Sequence, residues 1–356
     1  MKLITPILLL SLIIYSCSRT DAVQNQNQTN TDNTISIDFL DAKSSAVAIL
    51  DESYEPYFSI LQIREIYALT GIEPPANSID EARAFARQKF SSAVTDFSAK
   101  EKEAIEYVIT IIKKTLEIDN LNLIANHPWK FIKIEDWLCG GYAHTRGDYI
   151  ILSQRHLNHL TSDWSEQMSK SDSLSVVKKL GALLVHEQFH SLQRQYPEKF
   201  SKLYINSWGF EKVKVELDSS ILINQLTNPD APLAEWIVNY DSTFYWVRTL
   251  INENATIPQM GKDFIDVVFT LEQKNNKFVV KKEGVNHLVK QNLTDFKRYI
   301  DCFPVSQGLD HPNEITAYMF SKYFVSVLNN EEPFKNVSPK SQFFSKEYLN
   351  WLHHEF

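Results

Sequence analysis

Two histidines four residues apart, with a glutamate directly after the first, constrain this chain more than any other feature. His186-Glu187-Gln188-Phe189-His190 lies in a stretch where Val176, Val177, Leu180, Leu183, Leu184 and Leu192 recur at helical spacing. The pattern predicts a helix from about Ser173 to Gln193 with one buried face. On that helix His186 and His190 project from the same side, one turn apart. Two imidazole nitrogens so placed can reach a single tetrahedral metal ion. Glu187 is offset around the helix and falls beside such an ion, where it can accept a proton from a metal-bound water. A three-position pattern also arises by chance, but two histidines and a glutamate are costly to bury without partners.

Two protein ligands are too few for a metal site, so a third is expected. The metzincin pattern needs glycine three residues after His190 and histidine six after it, and the chain has Gln193 and Tyr196 there. Glu198, Glu211, Glu216 and Glu235 follow without a clear helical context. Glu314 is the best candidate, in His311-Pro312-Asn313-Glu314-Ile315-Thr316-Ala317-Tyr318. Pro312 suits the first position of a helix running to about Leu328, with His311 as its cap and Glu314 in its first turn. A glutamate there also suits the helix dipole without any metal. Ala317, one turn on, is small enough to let this helix approach the first.

His186, Glu187, His190, Glu314 and Ala317 together resemble the gluzincin metallopeptidases, which pair HExxH with Glu-x-x-Ala or Glu-x-x-x-Asp on a later helix. The resemblance covers the second half of the chain and leaves the N-terminal helices unexplained. It implies Zn2+ as cofactor, a peptide or protein substrate, and Glu187 as general base. It also implies a zincin-like fold, and with the helical periodicity of the first part of the chain the expected architecture is α+β: an N-terminal helical layer, a small mixed sheet, the metal helix and a helical C-terminal lobe supplying Glu314. Relatives with an aspartate four residues after the third ligand use it to orient a zinc histidine; here that residue is Tyr318, so the support must come from elsewhere. Such enzymes commonly bind substrate along a strand beside the metal helix. Tyr142 to Leu152 is the candidate, which would bring His144 or Arg146 to the cleft. An oxyanion donor is also required; Tyr318, His311 and His144 each qualify, and each also reads as an ordinary core or surface residue. Another zinc hydrolase, an amidase or deacylase, would use the same metal in a different cleft. A non-catalytic surface lipoprotein that binds a partner or glycan would keep the motif only as structure.

Elsewhere the pattern is mainly helical up to about Leu121. Leu40, Val47 and Leu50 suggest a first helix, and Ile60, Ile63, Ile66 and Tyr67 a second that Gly71 ends. Ser78 with Glu81 and Ser98 with Glu101 read as capping boxes of the next two. From Pro128 the character changes: Trp129 to Ile134 and Tyr149 to Leu152 read as strands, with Arg146-Gly147-Asp148 as a turn between strands rather than an adhesion signal. Phe264 to Phe269 and Lys277 to Val280 read as a strand pair around Asn275-Asn276, and a short helix near the C-terminus contains Tyr348, Trp351 and Leu352. Gln193-Arg194, Trp208-Gly209-Phe210 and Asn228-Pro229-Asp230 look locally specified without an evident chemical role.

The N-terminus reads as an export signal, and Ile14-Tyr15-Ser16-Cys17 resembles a bacterial lipobox, which implies a lipidated Cys17. Ser18 rather than aspartate after it leans toward the outer membrane of the cell envelope. The polar stretch after Cys17 cannot bury enough surface to order itself and reads as a tether. The expected organisation is signal 1–17, tether 18–35, helical region 36–125 and catalytic region 126–356. With 44% hydrophobic residues, those after the tether suffice for a sizeable core. A net charge of −8 without basic blocks argues against nucleic acid. Cys139 and Cys302 could pair in an exported protein, though two cysteines alone fix nothing.

Overall fold

The strand Trp129–Ile134 organises the first half of the chain, because both of its faces are buried. A computed structural model describes Ile35 to Phe356 apart from Ala76, Glu166, Val285 and Asn286. Cys17 and the tether up to Thr34 lie outside the described residues. Five strands form the first sheet. Ile37–Phe39 and Tyr149–Ser153 flank Trp129–Ile134 in parallel, while His144–Arg146 closes one edge antiparallel to Tyr149–Ser153. The two-residue strand Val94–Thr95 pairs antiparallel with the end of Trp129–Ile134. Successive side chains alternate between faces. Phe131, Ile150 and Leu152 therefore enter the main core, and Ile132, Ile134 and Ile151 pack under the N-terminal helices.

Those helices are Ala42–Ala48, Ile63–Thr70 and Ile79–Ser92, followed by Ala99–Ile118 on the other face. Residues 36–125 are thus not a purely helical layer: Ile37–Phe39 stitches them into the sheet. The capping box at Ser98 and Glu101 is complete, and Gly71 ends its helix in the left-handed conformation. At Ser78 only half a box forms, because Glu81 accepts from Asn77 instead of reaching back to the Ser78 amide. Val47 is 75% exposed, so the first helix buries a different face, through Ser45 and the adjoining Ile49.

The helix that carries His186 and His190 runs Lys170–Gln195, capped by Ser169, and packs against the helix Pro312–Leu328. Gly181 as well as Ala317 permits the close approach: a Cβ on Gly181 would meet the Phe324 ring at 2.9 Å. The C-terminal helix Pro339–Glu355 covers the same core through Tyr348, Trp351 and Leu352.

Along the chain between the first two of these helices, a second sheet forms that the expected architecture lacks, so the C-terminal half is not a helical lobe. Its strands lie in the order Phe210–Lys212, Trp236–Tyr240, Thr243–Ile251, Phe264–Lys274, Lys277–Val280 and Val215–Glu216, with Lys290–Asn292 also paired on Phe264–Lys274. Only the expected hairpin around Asn275-Asn276 was legible by pattern. The molecule is a mixed α+β protein. No helix among the described residues is long and apolar enough to cross a membrane. Cys139 and Cys302, whose pairing the sequence left open, are both free and buried in different apolar clusters.

Candidate metal centre

The metal helix and the Pro312–Leu328 helix bring three donors together. The Nε2 atoms of His186 and His190 lie 3.1 Å apart, and the Glu314 carboxylate oxygens lie 3.5 Å from His186 Nε2 and 3.7 Å from His190 Nε2. Metal–ligand bonds of about 2.0–2.2 Å in a tetrahedron put neighbouring ligand atoms roughly 3.3–3.6 Å apart, so the three fit one zinc-sized ion. His190 is fully buried, and His186 and Glu314 are nearly so.

The tautomer of His190 follows from its neighbour. The side-chain amide of Gln193 donates to the Asn313 carbonyl at 2.8 Å and to Thr316 Oγ1 at 2.9 Å, so its oxygen faces His190. That oxygen can only accept, so His190 carries its proton on Nδ1, 2.8 Å away, and presents a bare Nε2. Burial first, against the opposing pull of Glu314, lowers the His190 pKa to about 3 and keeps the ring neutral. Burial acts upward on Glu314, but His190, His186 and the Asn228 amide together bring its carboxyl down to about 2. A neutral His190 imidazole facing the Glu314 carboxylate offers the unprotonated donors that a divalent metal requires.

A loop from the second half of the chain completes the surroundings. Asn228 Nδ2 donates to Glu314 Oε1 at 2.7 Å. Asp230 accepts the Thr145 amide at 2.5 Å, and Thr145 Oγ1 lies 2.9 Å from both Glu187 Oε2 and the Glu187 carbonyl. Burial above all, then the charge of Asp230, pushes the Glu187 carboxyl well above the usual range. Burial, then Glu314, raises Asp230 to about 6. Glu187, His190 and Asp230 form a second close trio that shares His190, so the two trios surround one centre. Arg194 ties this loop to the first sheet by donating to the carbonyls of Pro229 and Thr145. Gln193, Arg194, Asn228 and Asp230 are among the residues that look locally specified in the sequence, and these are their contacts.

The other candidates separate. Tyr318 lines the cleft, its ring edge-on to His186 with centroids 4.4 Å apart. Burial, then Glu314 and Glu187, raises its pKa far above the ordinary value, so its hydroxyl stays protonated. His311 is a correction. Its Nδ1 accepts the Asn313 amide as the helix cap and its Nε2 donates to the Leu233 carbonyl, so no ring nitrogen remains for an oxyanion. His144 does line the cleft; Nδ1 donates to the Tyr142 carbonyl, which leaves Nε2 an acceptor without a partner. In that tautomer it is not an oxyanion donor. Arg146 points away from the cleft, stacked 4.1 Å from the Tyr57 ring centroid. The His144–Arg146 edge is also closed to an added strand: Asp230 takes the Thr145 N–H and Arg194 the Thr145 carbonyl.

The centre opens onto a cavity of about 630 Å³, walled by Tyr142, His144, Asn228, Asp230, Met260, Phe264, Asp310 and Tyr318 among others. That size suits a small-molecule ligand or a few residues of a peptide. Comparisons of the chain with protein-family models, with curated proteins and with solved structures find no match.

Proposed function

We propose that this chain is a zinc-dependent hydrolase of peptide bonds, with His186, His190 and Glu314 as metal ligands and Glu187 as general base. One observation carries the reading: three ligand atoms lie within 4.8 Å of one another in a cleft, and Glu187 stands beside them. When bound, zinc would supply carbonyl polarisation and a water acidified toward neutral pH.

The chain's own groups account for the rest. Gln193 holds His190 in its ligating tautomer. Glu187, with Thr145 Oγ1 fixing one oxygen, takes a proton from the attacking water and hands it to the leaving amine. Tyr318 is the candidate donor to the developing oxyanion, because its hydroxyl stays protonated and borders the cleft. The proposal includes a lipidated Cys17 as the anchor of the enzyme in the cell envelope, toward the outer membrane.

Metal analysis of purified protein tests the centre: bound zinc well below one equivalent sinks the enzyme reading. A peptide-library digest then tests the reaction, with Glu187→Gln as control. Cleavage that survives this substitution removes Glu187 from the mechanism. A zinc-loaded protein that cleaves no peptide but releases acetate from acetylated amines would be a deacylase instead.

A further inference from the structure

The cleft is chemically one-sided. Glu187, Asp230, Asp310 and Glu314 line it, and no lysine or arginine does so among the described residues. Zinc and its chemistry would occupy Glu314 and Glu187, and Asp230 is committed to the Thr145 amide. Asp310 has no such employment: apart from its own backbone N–H, its carboxylate has no hydrogen bond or ion pair within 4.0 Å among the described residues. Arg248, the cation that attracts Asp310, is outside the lining and stacked 5.0 Å from the Trp246 ring centroid. Its attraction reaches Asp310 only at a distance.

Several donors of the cleft are spent: Asn228 donates an amide N–H to Glu314, Thr249 its hydroxyl to Asp266, and Ser321 its hydroxyl to the Ala182 carbonyl, while the Tyr318 hydroxyl is reserved for the oxyanion. One acceptor stands unfilled. His144 is 2% exposed, borders the cleft, and has an Nε2 with no partner while its proton sits on Nδ1. A buried acceptor left empty costs free energy that a ligand N–H would recover. Leu69, Leu226, Met260 and Phe264 supply apolar wall for an aliphatic stem.

We infer that the cleft selects substrates carrying a cationic, N–H-rich group, ammonium or guanidinium, close to the scissile amide, with Asp310 as its receptor. This rests on the peptidase reading and names its substrate class. Carboxylates concentrated between low-dielectric walls focus a negative potential that attracts cations and repels anionic substrates. The group could come from a lysine or arginine side chain or from a free peptide amino terminus.

Quenched fluorescent peptides identical except for Arg, Lys, Gln or Glu beside the scissile bond, each with a free and an acetylated amino terminus, test this with the zinc-loaded full chain. Arg and Lys peptides are expected to exceed the Gln peptide by about tenfold or more in kcat/KM, with Glu slowest. Persistence of that order after acetylation assigns the group to the side chain; a rate that follows the free amine in every peptide assigns it to the terminus. Asp310→Asn should shrink the preference to within about threefold. Equal cleavage of Arg, Gln and Glu peptides, insensitive to acetylation, overturns the inference. A second arm needs no turnover: calorimetry of N-acetylarginine amide, norleucine amide and N-acetylnorleucine amide on the Glu187→Gln protein. Tighter binding of either cationic amide than of N-acetylnorleucine amide, abolished by Asp310→Asn, supports the inference, and equal binding of all three overturns it. If zinc is bound and no peptide is cleaved, the peptidase reading falls while this arm still decides the receptor.

Discussion

Gln193 accepts the Nδ1–H of His190 at 2.8 Å, and its amide nitrogen donates to both Asn313 and Thr316 in the helix that carries Glu314. One side chain thus fixes a ligand's tautomer and ties together the two helices that make the site. Relatives in the resembled group with an aspartate four residues beyond the third ligand use it for this support; here the contact comes from the helix that carries both histidines. Gln193→Leu keeps the bulk and removes all three hydrogen bonds. Zinc affinity, measured by chelator competition, should fall about 10–100-fold. Unchanged affinity would show that packing alone orients His190.

Glu187 is separable from the metal. Glu187→Gln keeps the shape and a partner for Thr145 Oγ1 but cannot take a proton. Hydrolysis should drop about 10²–10⁴-fold while zinc content stays near one equivalent. Loss of zinc together with activity would instead make Glu187 part of the ligand set, as the trio with His190 and Asp230 would allow.

The histidines and Glu314 were legible because local rules placed them: a four-residue spacing on one helix, and Pro312 at the start of another. Thr145, Asn228 and Asp230 were not, because their contacts join residues far apart in sequence, 85 positions for Thr145 and Asp230 and 86 for Asn228 and Glu314. No local pattern encodes such a crossing, so Asn228-Pro229-Asp230 showed only its turn chemistry. The second sheet was missed for a related reason. Val215–Glu216 and Phe210–Lys212 are too short for alternation to register, and their pairing is made by distant strands. His311 was read correctly as a cap, and that same role removes it from the chemistry.

Asp230 should set the acid limb of the pH–rate profile. Its negative charge is second only to burial in raising the Glu187 carboxyl. Asp230→Asn retains an oxygen for the Thr145 amide and deletes the charge. The Glu187 pKa should fall, so the apparent pKa on the acidic side of kcat/KM should move to lower pH. A shift upward, or none, would show that Asp230 does not act on Glu187 through its charge.

Glu65 ties the N-terminal helices to the loop of the metal centre, and this gives stability a pH dependence of definite sign. Its carboxylate accepts from the amides of Gln62 and Thr227 and from the Gln225 side chain, just ahead of Asn228. Burial outweighs these bonds and raises its pKa from 4.5 to about 7. A carboxyl raised in the folded state favours folding when protonated, so its contribution is complete below pH 4.5 and is lost as pH rises through about 7. The difference corresponds to about 3 kcal/mol. Glu65→Gln carries no titrating proton. Chelator-treated protein should therefore lose Tm between pH 4.5 and 7.5, with a clearly smaller slope in the variant. Equal slopes would place the Glu65 pKa in the ordinary carboxylate range and make the residue a permanently ionised anchor of the loop.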